Sequence, residues 1–134
     1  MIIFNYVTLE TKIIYYLAAI LLFLYFIYSN VKKKKYIIVM FLIVSLLIVL
    51  NKLVSYIKAY QSPVIDTYVG YYAGRYESRW EYYFKNETDN EAQEFHMTFL
   101  AKKKIYSDDF SKDEKYIIHY EVETRTIVDI EKIE

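Results

Sequence analysis

Cysteine is absent from the 134 residues, and glycine and proline are nearly so, with two and one respectively. Without cysteine there is no disulfide framework, no thiol nucleophile, no zinc finger and no iron–sulfur centre. With so little glycine and proline and a 55% hydrophobic content, the chain is neither disordered nor collagen-like. A phosphate-binding glycine loop is missing too, as are the G-x-G-x-x-G fingerprint and a G-x-S-x-G elbow. Acid is scarce in the first half only. Residues 1–63 hold seven lysines and one acid, Glu10, whereas residues 64–134 hold sixteen acids and ten bases. The neutral total therefore hides two parts suited to different surroundings. The acidic half is ill-matched to nucleic acid, whose phosphates need a basic face.

What the first half has in abundance is long uncharged runs. Residues 13–31 form one of nineteen residues, about 28 Å as a helix, close to the hydrocarbon thickness of a bilayer. Residues 36–50 form a second, and its helical pattern continues through Leu53, Tyr56, Ile57 and Tyr60. Neither run has a polar face for water. The sequence thus predicts two transmembrane helices, at about residues 9–30 and 36–60, with tyrosines at the interfaces. No basic stretch precedes the first helix and no cleavage site follows it, so it is expected to be retained as a membrane anchor.

Between the helices lie Lys32, Lys33, Lys34 and Lys35, the basic tip of a tight hairpin. The positive-inside rule places such a tip in the cytoplasm, which puts both termini outside it. The expected location is the cytoplasmic membrane, spanned twice. Ser45 and Asn51 are the notable polar residues of the second helix and are candidate helix–helix contacts. No acid lies in either uncharged run, 13–31 or 36–50, which argues against a proton relay.

After Pro63 the pattern becomes strand-like, with strands expected at residues 65–78, 79–85, 94–104, 115–123 and 126–133. Gly70 and Gly74 fall within the first, the usual mark of a bulge or close backbone approach. Tyr71, Trp80, Phe84, Phe95, Phe99, Phe110 and Ile118 are the expected core. Neighbouring tyrosines on a strand face opposite ways, so one of each pair should be exposed. Tyr72, Tyr82, Tyr83 and His119 are accordingly the candidate binding surface. His96 and His119 lie on separate expected strands, and no catalytic, cofactor or metal constellation emerges. Residues 109–120 fail the calcium-loop pattern, since Glu114 stands where glycine is needed and Tyr120 where glutamate is.

Five strands, a glycine-bent first strand and a long connection before the fourth make residues 65–133 similar to an antiparallel oligonucleotide/oligosaccharide-binding (OB) barrel. The joining of a helical hairpin to such a barrel resembles small bacterial membrane proteins of the NfeD type. The expected whole is an α+β membrane protein, with an anchor at 1–63 and a soluble domain at 64–134. Its expected role is non-enzymatic: an extracytoplasmic module that, besides the lipid bilayer, contacts a protein or envelope polymer. An immunity protein that intercepts a toxin is one version. The alternative is a structural subunit assembled through its helices.

Overall fold

The computed structural model describes residues 4–76, 80–88 and 91–133. Two helices, α1 (Val7–Lys32) and α2 (Tyr36–Gln61), each run for 26 residues, about 39 Å. Both are long and apolar enough to cross a membrane. Their large apolar side chains point outward along most of the hairpin; Leu21, Ile37 and Phe41 are among the most exposed. The turn between them bends at Lys34, whose φ of 57° is left-handed. Backbone bonds from Lys33 to Ser29, Lys34 to Val31 and Lys35 to Asn30 close it. All four tip lysines are exposed.

Away from the tip the hairpin is held by aromatic and polar contacts. Tyr16 lies 5.4 Å from Tyr56, Tyr6 lies 6.5 Å from Tyr60, and the Tyr60 hydroxyl donates to Glu10 Oε1. Leu9, Tyr56 and Ala59 are buried together there.

Five strands follow: β1 (Ile65–Tyr76), β2 (Glu81–Lys85), β3 (Gln93–His96), β4 (Lys115–Glu121) and β5 (Thr126–Ile133). They form one sheet closed in a ring, in the order β1-β2-β3-β5-β4. β1 closes it by pairing β2 with one end and β4 with the other. The register slips between Tyr72 and Gly74, a bulge that lets one long strand turn between two partners. At Gly70 a Cβ would sit 2.8 Å from Tyr68 Cε1 and 2.9 Å from the Lys85 carbonyl oxygen, so only glycine fits between them.

Two expectations need correction. The third strand, expected over residues 94–104, ends at His96, and a short helix, α3 (Phe99–Ile105), follows. Thr98 caps it, its Oγ1 accepting from the Ala101 amide, and Ala101 is wholly buried. Nor is the sheet wholly antiparallel. Because α3 intervenes, β3 meets β5 in parallel, at His96 and Thr126.

The core is built from Tyr82, Phe84, Phe95, Met97, Tyr116, Ile118, Ile127 and Ile130, with Tyr72 and Phe110 packed against it. Phe84, Phe95 and Ile118 are thus core as expected. Phe99 and Tyr71 are not, at 57% and 37% exposed, and Trp80 is only half-buried.

The hairpin is not merely tethered to the ring. Thr8 and Leu9 of α1 are wholly buried, Thr8 Oγ1 accepts from the Thr98 amide, and the Asn5 amide donates to the Val128 carbonyl. The N-terminal residues therefore belong structurally with residues 64–134.

Candidate functional site

Docking the hairpin against the ring leaves an open cleft of about 610 Å³ between them. α1 supplies Lys12 and Tyr16, α2 supplies Asn51, Lys52, Ser55 and Tyr56, and the ring supplies the rest. Trp80 enters just before β2. Its ring lies 6.0 Å from Tyr15 and under the Lys12 ammonium at 5.5 Å. These are cation–π and aromatic contacts that fix the ring against α1.

Strand pairing builds the next group. On β2 and β3, Glu81 faces His96 and Tyr83 faces Glu94, and alternation puts all four on one face. His96 Nε2 is 3.4 Å from Glu94 Oε1, and the Tyr83 hydroxyl donates to Glu81 Oε2 at 3.0 Å. The ligand-type atoms of Glu81, Glu94 and His96 lie within 4.8 Å of one another. By donor chemistry this trio suits a divalent cation or an ammonium group. The nearby positive charges of Lys12 and Arg125, both felt at His96, weaken the case for a doubly charged ion.

The turn between β4 and β5 completes the cleft. Glu121 is buried, and its carboxylate accepts from the Glu123 and Thr124 amides and the Thr124 hydroxyl. This holds Arg125 at a left-handed φ of 54°. From there Arg125 Nε donates to the Glu94 carbonyl and Nη2 to Gln93 Oε1, with the guanidinium over Phe95 and Tyr120. The hydroxyls that line the cleft bond elsewhere than to His96: Ser55 to the Asn51 carbonyl, Thr124 to Glu121 and Thr126.

Burial pushes the His96 pKa down, partly offset by Glu94 and Glu81, while Lys12 and Arg125 add to the fall. The folded chain therefore binds this proton less readily than the unfolded chain does. The resulting stability is full above the ordinary histidine value of about 6.5 and is lost as the pH falls below it, towards the lowered folded value. His96→Gln should flatten this acid limb of stability against pH, as read by urea midpoints of the detergent-solubilised chain between pH 7.5 and 5. An unchanged limb would contradict the assignment.

The sequence-predicted surface residues are dispersed. Tyr82 faces inward and is 1% exposed, a correction to its expected exposure. Tyr72 is half-buried and stacks on Phe110 at 5.0 Å, leaving Tyr71 as the exposed member of that pair. Tyr83 is half-buried beside the cleft trio, as the outward partner of Tyr82. His119 sits apart on β4, with Nδ1 3.1 Å from Thr67 Oγ1, Nε2 4.0 Å from Asp129, and Phe4 across its ring. Asn51 is exposed and lines the cleft, and Ser45 is half-buried on α2.

Lys12, Trp80, His96 and Arg125 come from four distant segments, and no local motif joins them. Comparisons with protein-family models, curated proteins and solved structures each return no match.

Proposed function

We propose that this chain is a membrane-anchored, non-catalytic binding module. Its hairpin crosses the cytoplasmic membrane with the lysine tip inside, and its acidic β-domain sits on the extracytoplasmic surface as an OB-like barrel. The OB-like reading is supported by the five-strand ring, the long first strand bulged at Gly74, and the connection with a helix before β4. The NfeD-type resemblance remains one of architecture.

The observation that carries the proposal is the fixed junction. Wholly buried Thr8, whose hydroxyl oxygen accepts from the Thr98 amide, holds the helix end against the domain, so the cleft is a shaped surface rather than a gap along a linker. A protein or envelope-polymer partner would meet the exposed wall around Tyr71 and the cleft rim at Glu123. The acidic balance of the domain disfavours nucleic acid.

The rival reading, a structural subunit joined through its helices, is favoured by a wholly apolar hollow on α2 between Ile37, Met40, Phe41 and Val44. Photo-crosslinking amino acids at Tyr71, Glu123 and Phe41 in the full chain separate the two. Discrete protein or polymer adducts from Tyr71 or Glu123 are expected. Adducts from Phe41 alone would overturn the module reading in favour of the subunit.

A further inference from the structure

Lys12 immediately precedes the uncharged run of α1, and Lys52 lies two residues beyond that of α2. Both line the junction cleft. If these helices span a bilayer, the two ammonium groups mark the level at which they leave the hydrocarbon, so the cleft opens among lipid headgroups. Trp80 agrees with that depth. It packs on Tyr15, inside the uncharged run, and beneath Lys12, as an interfacial tryptophan would. Below the cleft, α1 and α2 expose apolar side chains such as Ile14 and Ile48, along which acyl chains could lie.

The charges in the cleft are mixed. Lys12 and Lys52 come from the helices, whereas the ring supplies Glu81, His96, Glu123 and Arg125, with Glu94 clustered beside Glu81 and His96. A polyanion would meet the carboxylates unfavourably, and a simple cation would meet the lysines. A zwitterion satisfies both groups.

We propose that this cleft binds the headgroup of an amine-bearing phospholipid of the phosphoethanolamine type. The phosphodiester lies against Lys12 and Lys52. The ammonium donates to the Glu81 and Glu94 carboxylates, with Trp80 alongside. Arg125, which also lines the cleft, fixes the β3 backbone that carries Glu94. A quaternary ammonium cannot donate these hydrogen bonds, so phosphocholine lipids should bind more weakly. The inference rests on the bilayer-spanning reading of α1 and α2.

Trp80 is the only tryptophan of the chain and so reports on the cleft directly. The full chain would be reconstituted in vesicles of matched acyl chains. Phosphoethanolamine, phosphocholine or phosphoglycerol lipids brominated near the headgroup would then be titrated in. All three should quench Trp80, with the phosphoethanolamine lipid reaching half-quenching at roughly a fivefold lower mole fraction, the yield of about one net hydrogen bond. Glu81→Gln should bring that ratio close to one, whereas Lys52→Gln, which removes a contact to the phosphodiester shared by all three lipids, should raise the half-quenching mole fraction of each.

Equal quenching by the three lipids, strongest quenching by phosphoglycerol, or a preference that survives Glu81→Gln would overturn the inference while leaving the spanning reading intact. No quenching by any lipid would remove the spanning reading itself. Free O-phosphoethanolamine is the soluble source of the same chemistry. It should leave Trp80 emission of the lipid-free, detergent-solubilised chain unchanged. A saturating response at micromolar concentration would assign the cleft to a soluble compound instead.

Discussion

Phe84→Ala should destabilise the β-domain by about 3–5 kcal/mol, a large part of the stability expected of a domain this size. Phe84 is 0% exposed and lies at the centre of an aromatic core. Tyr72, Phe95, Phe110 and Tyr116 surround it, with ring centroids 5.5 to 6.0 Å away and planes inclined by 62° to 90°. These edge-to-face contacts add to simple burial, and alanine would leave a cavity that β-strands on every side cannot close. Phe84→Leu keeps most of the volume and should cost less than half as much. Urea unfolding of the full chain in detergent, followed by Trp80 emission, measures both. A loss under about 1 kcal/mol for Phe84→Ala would mean that the ring is not packed around this residue.

Glu121→Ala should cost about 2–4 kcal/mol and also disorder the cleft. A buried carboxylate with three donors is a charge-assisted cap, and alanine strands the Glu123 and Thr124 amides, while the Thr124 hydroxyl keeps Thr126 Oγ1 as an acceptor. The consequence reaches further than the turn. Arg125 keeps its left-handed backbone only while this turn is closed, and its guanidinium clamps the Glu94 carbonyl and Gln93. Glu121→Gln preserves the shape but aims amide hydrogens at donors, so an intermediate loss is expected. Amide hydrogen exchange gives the finer readout. Glu121→Ala should speed exchange at Thr124 and also at His96, whose amide donates to the Arg125 carbonyl. Faster exchange at Thr124 alone would show that the turn and the cleft are independent.

Much of this architecture is legible in the residues. The two helices follow from the uncharged runs, and β5 spans the expected 126–133, a stretch rich in β-branched residues and free of glycine and proline. The short helix α3 was not legible. Seven residues are too few to display a 3.6 period, and Glu94–Lys104 contains no glycine or proline to mark the break at Thr98. Alternation correctly separates Tyr71 from Tyr72 and Tyr82 from Tyr83 but cannot say which member faces in. That depends on the bulge at Gly74, which sets Tyr72 opposite Phe84. The cleft was hidden for another reason. Trp80, His96 and Arg125 are joined by backbone pairing within the ring, but Lys12 reaches them only through the seat of α1 on the ring, where Thr8 accepts from the Thr98 amide ninety residues away.

The central claim, a hairpin that crosses the membrane and holds the β-domain at its outer surface, is tested most directly by labelling from two sides. The chain has no native cysteine, so Thr88→Cys in the loop after β2 and Lys33→Cys at the hairpin tip each give a single reactive site. Both positions are exposed. The account predicts that a membrane-impermeant maleimide labels Thr88→Cys in intact cells and Lys33→Cys only after lysis. Labelling of the tip but not the loop in intact cells would invert the orientation, and labelling of both would show that the hairpin does not cross the membrane.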